Sequence, residues 1–165
     1  VLVRSGWIED DLVAEWLRVS WFMENPAWDV EAAKTVGVIP SFLQPLDKPF
    51  PMVAIADVGR VAELLFDEWL GVRIVELEGP QRVTPRQIAR TLSTLLGREV
   101  RMNVVPRSTW ETLSCEQGMR HPISRIQMLD GFNEGWIEFA QGQAGSRKGV
   151  ISLEVAFRRL IERMA

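Results

Sequence analysis

Residues able to do chemistry are sparse in this sequence, and their spacing excludes several reaction types. There is one histidine, His121, one cysteine, Cys115, and no tyrosine, so tyrosine acid/base chemistry is out of reach of these 165 residues. His121 stands beside Pro122, the setting of a turn residue rather than of a base or a ligand. Cys115 has no second Cys or His near it, so the spacing that a metal needs is missing. No neighbouring cation marks it as an activated nucleophile, and a buried structural thiol is expected. Glu76 and Glu78 alternate along one run, which predicts two carboxylates on a solvated strand face. The glycines of GQAGSRKG (Gly142, Gly145, Gly149) come nearest to a phosphate-binding loop. They follow a helical pattern rather than a strand, and Lys148 precedes Gly rather than Ser or Thr, so a plain polar loop is expected. No G-x-S-x-G elbow is present.

The more informative constellation is aromatic. Residues 17–22 (LRVSWF) read as a buried strand that runs straight into Met23-Glu24-Asn25-Pro26. Asn is a good N-cap and Pro suits the first helical position, so a helix should start at Asn25, run to about Val36 and stop at Gly37. The C-terminal end of a parallel strand is where α/β proteins build ligand sites. Trp21, Phe22 and Met23 at such an end can cover a flat ligand. They can equally be core, with Asn25 only a cap. Phe132 and Trp136 pose the same choice between a substrate wall and a core stripe.

The remaining pattern supplies the scaffold. A short strand is expected at Val1-Leu2-Val3, and a solvated face or helix start at Glu9-Asp10-Asp11. Residues 38–42 and 52–55 read as short extended pieces, separated by a turn between Pro45 and Pro51. Asp57 can cap a helix that carries Val58, Val61, Leu64, Leu65 and Trp69 on one face and ends at Gly71. Residues 72–78 alternate as a strand. Thr84-Pro85-Arg86-Gln87 is a capping box opening a helix with Ile88, Leu92, Leu95 and Leu96 inside, ended by Gly97. Val100, Met102 and Val104 alternate as a half-buried strand. Ser108-Thr109-Trp110-Glu111 reads as a second capping box, with its helix stopping near Gly118. Met128, Leu129, Phe132, Trp136 and Phe139 fall at helical spacing despite Gly131 and Gly135, and Ser152 caps a last amphipathic helix.

Strands and helices therefore mostly alternate, which predicts an α/β fold with parallel strands. Apolar residues make up 47% and charged residues 25%, so the chain should fold, and the net charge of -3 argues against a nucleic-acid or acidic-membrane partner. No apolar run is long enough to cross a bilayer, and a single cysteine suits a reducing cytoplasm.

Several landmarks then follow one another in the order seen in a known family. They are Arg18-Val19-Ser20-Trp21-Phe22-Met23-Glu24-Asn25, then Val38-Ile39-Pro40-Ser41-Phe42, Pro51-Met52-Val53-Ala54, and Ala56-Asp57-Val58-Gly59-Arg60-Val61-Ala62. Val75-Glu76-Leu77-Glu78-Gly79-Pro80, Val105-Pro106 and Trp110 complete the run. From residue 17 to the C-terminus the chain resembles the NmrA-like proteins, an atypical branch of the short-chain dehydrogenases/reductases. The resemblance implies a partial Rossmann-type parallel sheet plus a small C-terminal α/β subdomain on the substrate side. It divides one incomplete domain into 1–80, the rest of the Rossmann-type sheet, and 81–165, the substrate side. It implies NADP or NAD in an intact protein whose phosphate-binding loop lies outside this chain. It further implies hydride transfer to a small quinone- or azo-type acceptor, with Trp21, Phe22 and Asn25 toward the cofactor and Met23, Phe132 and Trp136 toward the substrate. A non-catalytic NAD(P)-sensing module and an inactive truncated relic are the alternatives.

Overall fold

The computed structural model describes residues 2–8, 11–67 and 73–164. In chain order the elements are β1 (Leu2–Ile8), β2 (Asp11–Val19), β3 (Trp21–Phe22), a 3-10 turn (Asn25–Asp29), α1 (Val30–Thr35), β4 (Val38–Ser41), β5 (Met52–Val53) and α2 (Ile55–Asp67). There follow β6 (Arg73–Glu78), α3 (Pro85–Leu96), β7 (Arg101–Val104), a 3-10 turn (Arg107–Thr109), α4 (Trp110–Glu116), α5 (Ile123–Glu134), α6 (Gly142–Gly145), β8 (Arg147–Lys148) and α7 (Leu153–Arg163). Two compact units are built from interleaved segments: Val1–Pro26, Pro51–Arg82 and Phe139–Ala165 form the first, Ala27–Phe50 and Val83–Glu138 the second. The parallel strands expected of the α/β class are present: β2 with β6, β6 with β8, β3 with β5, and β4 with β7.

In the first unit a sheet of order β1-β2-β6-β8 has β1 antiparallel to β2. Strand alternation sends Leu17 and Val19 of β2, and Val75 and Leu77 of β6, to one face. There they meet Val61 and Leu65 of α2 and Val53 of β5 in one apolar cluster. The strand expected over 17–22 is split at Ser20. Up to that point it pairs with β6, and Ser20 N–H still donates to Leu77 O at 3.1 Å. Beyond it β5 enters the sheet. Pro51 O accepts from Trp21 N–H at 3.3 Å and Val53 O from Met23 N–H at 2.9 Å, while Met52 O accepts from Gly79 N–H at 2.6 Å. Alternate carbonyls of one short segment thus serve two neighbours. The approach is close enough that a Cβ on Gly79 would fall 2.6 Å from Met52 O and 2.7 Å from Met23 Cε. Gly79→Ala should therefore destabilise the protein by about 2 kcal/mol through overpacking, read as a lower urea midpoint; an unchanged midpoint would contradict so tight a fork.

Tertiary packing overturns several local expectations in this unit. Ile55 is helical rather than part of a strand over 52–55, which puts Asp57 inside the first turn of α2 instead of at its cap. Glu76 and Glu78 are buried rather than solvated, because the chain after residue 139 folds back onto the end of β6. The polar loop expected over 141–149 forms α6 and then β8, which pairs Arg147 with Leu77 and Lys148 with Glu78. Asp11 opens a strand, whereas Val1, Glu9, Asp10, Trp69 and Gly71 lie outside the described residues. The last helix is as expected: Ser152 Oγ accepts from Val155 N–H at 3.3 Å, and Ala156 and Phe157 are buried.

In the second unit β4 and β7 pair in register from Val38 opposite Arg101. Helix α3 has the anticipated capping box, with Gln87 N–H on Thr84 Oγ1 at 3.1 Å and Thr84 N–H on Gln87 Oε1 at 2.7 Å. Gly97 ends it at φ 65°. The second expected box is absent: Thr109 Oγ1 donates to Pro106 O at 2.8 Å within a 3-10 turn, and the helix starts at Trp110. Buried Trp110 donates from Nε1 to Val105 O at 2.9 Å and meets Phe42 edge-on, with 5.6 Å between centroids. Helix α4 buries Trp110 and Ser114, so Cys115, about 100° further round, is exposed rather than buried. The aromatic run 128–139 is not one helix, because Gly135 at φ 92° ends α5.

The helix expected from Asn25 starts a turn late. Asn25 opens the 3-10 turn, and Asp29 is the N-cap residue of α1 without a side-chain cap bond. Burial pushes the Asp29 carboxyl up from its ordinary 3.8 to about 6. The folded state therefore holds this proton more tightly than the unfolded chain does. Stability from this group should rise as pH falls from about 7 towards 4. Asp29→Asn should flatten that slope when urea midpoints are compared at pH 7.5 and 4.5; an identical slope in both proteins would refute it. Among the described residues no helix is long and apolar enough to cross a membrane.

Candidate functional site at the parallel-strand ends

The C-terminal ends of β3, β5 and β6 gather the residues singled out from the sequence in the first unit. Trp21 and Phe22 form β3 and are half-buried, and Phe22 packs on the cluster around Leu17 and Leu77. Met23 is buried, its methyl group beside Gly79. Asn25 is exposed at the start of the 3-10 turn. Glu24 has a role that residue pattern did not suggest. Its two carboxylate oxygens accept the Ile55 N–H at 3.1 and 3.2 Å. The start of α2 is thereby capped from a distant segment, and the carboxylate answers the positive end of the helix dipole. A phosphate there would meet a fixed negative charge, so the edge formed by Trp21 and Phe22 suits a flat, uncharged group better.

Phe132 and Trp136 belong to the second unit. Phe132 is half-buried on α5, and its carbonyl accepts from Lys48 Nζ at 2.8 Å. Lys48 also reaches Asn133 O at 2.7 Å, and the Asn133 side chain binds Gln44 N–H and Phe42 O, so the Pro-rich turn and the end of α5 hold each other. Trp136 lies beyond the helix, 61% exposed, with Nε1 on Glu134 Oε2 at 3.1 Å.

Three buried carboxylates of the first unit form a clamp. Asp57, with no exposed surface, accepts from Val150 N–H and Ile151 N–H through Oδ2, both at 2.9 Å, and from Arg60 through Oδ1 at 3.1 Å. Glu78 accepts from Ser146 Oγ at 2.5 Å, from Arg82 Nε at 3.0 Å and from Lys148 Nζ. Glu76 accepts from Ala140 N–H at 3.0 Å and lies 3.5 Å from Arg18. For Glu78, burial alone would raise the carboxyl, but the bonds from Lys148, Ser146 and Arg82 outweigh it and hold the group below its ordinary value. Carboxylates so fully engaged act as anchors for residues 140–151 rather than as bases. No local signal marks this anchoring role, because the segment they hold, residues 140–151, lies more than sixty residues away in sequence.

No family model matches the chain. It is 31% identical over 86 residues to a festuclavine dehydrogenase of Aspergillus fumigatus, a stretch covering 51% of this chain and 30% of that protein. Three solved structures share its fold. An NADPH-dependent quinone oxidoreductase from Escherichia coli superposes with a TM-score of 0.68 at 18% identity, over 95% of this chain and 57% of that one. The same enzyme complexed with NADPH gives 0.72, at 18% identity, over 95% and 56%. A nucleoside-diphosphate-sugar epimerase from Staphylococcus aureus gives 0.66 at 14% identity, over 88% and 52%. The chain thus spans about half the length of the solved structures it matches and under a third of the dehydrogenase. Its α/β fold is the one that the resemblance to the NmrA-like proteins implied, and the chain spans part of it.

Proposed function

We propose that the chain is part of an NAD(P)H-dependent oxidoreductase that passes hydride from the nicotinamide to a small quinone- or azo-type electrophile in the cytoplasm. The observation that carries this reading is the fold shared with an NADPH-complexed quinone oxidoreductase, combined with half-buried Trp21 and Phe22 at the ends of parallel strands. Hydride transfer of this kind asks the protein for position and a dry surface rather than for an acid, which fits a sequence with no tyrosine. Trp21, Phe22 and Asn25 are assigned to the cofactor side, and Met23, Phe132 and Trp136 to the substrate side. NADPH oxidation with a panel of quinones and azo dyes, by the longest natural form of the protein, tests the proposal. Cofactor binding without turnover would favour a sensor instead.

These residues alone should bind NADPH only weakly. The sequence contains no glycine-rich strand-loop-helix, and Glu24 already occupies the start of α2. Calorimetric titration checks this: micromolar or tighter binding would overturn it.

A further inference from the structure

The second unit has parallel-strand ends of its own. Phe42 follows β4 directly, and Trp110 follows β7 after one 3-10 turn. Two guanidinium groups stack on this aromatic pair. Arg107 lies over the Trp110 ring, 5.0 Å from Cζ to centroid, and Arg125 of α5 lies over Phe42 at 5.7 Å. Their charges are handled differently. Arg107 donates from Nε and Nη2 to the two oxygens of Asp130, both at 2.7 Å. Arg125 is half-buried and has no carboxylate partner among the described residues. The adjoining chain offers none: no Asp or Glu stands between Glu116 and Asp130, whereas Arg120 and His121 do.

We propose that Arg125 holds an anionic substituent of the acceptor, so that the substrates are flat compounds bearing a carboxylate or sulfonate. Taking part of a guanidinium out of water without a counter-ion costs solvation. The Phe42 ring returns some of it through cation–π attraction. A ring against the guanidinium face leaves the in-plane N–H donors free, in the planar fork that matches an oxyanion with two oxygens. The ends of parallel strands are also where α/β proteins bind ligands. Helix geometry joins Arg125 to the wall assigned to the substrate. Phe132 stands seven residues further on, two turns of α5 along nearly the same face and about 10 Å away. That span suits a two-ring acceptor with one end at Phe132 and its acid group at Arg125. The inference rests on the oxidoreductase reading, and its test separates binding from turnover.

The experiment uses a matched pair, an azobenzene carboxylate and its uncharged methyl ester, with wild type, Arg125→Gln and Arg125→Lys. Calorimetric titration of the 165-residue protein measures binding without cofactor, and NADPH oxidation by the longest natural form measures turnover. Wild type should bind the carboxylate at least about tenfold more tightly than the ester. Arg125→Gln should abolish that preference, and Arg125→Lys should keep only part of it, because an ammonium lacks the planar fork. The ratio of kcat/KM for carboxylate to ester should fall by a similar factor in Arg125→Gln, carried by KM. In wild type alone, benzoate should displace the carboxylate and benzamide should not, a readout that needs no variant to fold. Equal affinity of wild type for the two compounds would overturn the proposal, as would a carboxylate preference that survives in Arg125→Gln. Arg125-dependent binding with no turnover of either compound would uphold the anion site and overturn the oxidoreductase reading instead.

Discussion

Asp57→Ala should lower the stability of the protein by about 3 kcal/mol, the cost expected when a buried polar hub is removed and its partners stay buried. The carboxylate has no exposed surface and accepts two successive N–H groups, from Val150 and Ile151, which alanine leaves without an acceptor. The bond to Arg60 adds little, because that guanidinium is 42% exposed and can turn to water. Asp57→Asn keeps one oxygen for the backbone and should cost less than Asp57→Ala. A Cβ on Gly149 would run into the Asp57 carboxylate, so the segment reaches the hub only because glycine stands there. Urea unfolding of the three proteins decides the matter, and hydrogen exchange at 147–151 locates the effect. A midpoint unchanged by Asp57→Ala would show that the clamp contributes nothing.

The second large effect is expected at Glu78. Replacement by Ala takes one acceptor each from largely buried Arg82, from Ser146 and from Lys148. A loss of about 3 kcal/mol is expected, because three bonds to one buried carboxylate go at once. Its pH dependence is set by the direction of the shift. The folded carboxyl lies below its ordinary 4.5, so its contribution is present above that value and fades as pH falls through the lower folded one. The stability gap between wild type and Glu78→Ala should therefore be constant near neutrality and narrow below about pH 4. A gap that widened on acidification would give the shift the opposite sign. Asp57 and Glu78 hold the same segment, since Gly149 N–H also donates to Glu78 O at 2.7 Å. The double variant should accordingly lose less than the sum of the single losses.

The clamp also gives the landmark around Asp57 a physical meaning. Asp57 is held inside α2 to receive the chain entering α7, and Gly79 lets β6 close against β5 at the strand ends. Gly79 thereby helps to assemble the edge on which Trp21 and Phe22 lie. Glu24 belongs with them, because its bond to Ile55 ties the turn after β3 to the first turn of α2.

What could be read from the sequence was what neighbouring residues decide among themselves. Helix α3 was legible at both ends because Thr84 with Gln87 and Gly97 satisfy its terminal groups within a few residues. The same holds for Ser152 before α7, for the alternation of β7 and for the parallel α/β class. The landmarks around Trp21 to Asn25 and Asp57 were equally plain as a pattern. Their structural roles were settled by partners far along the chain. Whether Glu76 and Glu78 face water depended on residues 140–148 folding back onto β6, and what Asp57 binds from inside its helix depended on Val150 and Ile151. Whether residues 17–22 stay one strand depended on β5 entering at Ser20. Backbone donors and acceptors carry no side-chain signature, and a buried carboxylate is indistinguishable from a solvated one until the chain that covers it is in place. Tertiary structure alone decided those matters, because the free energy of burying a charge is set by what surrounds it and not by its neighbours in sequence.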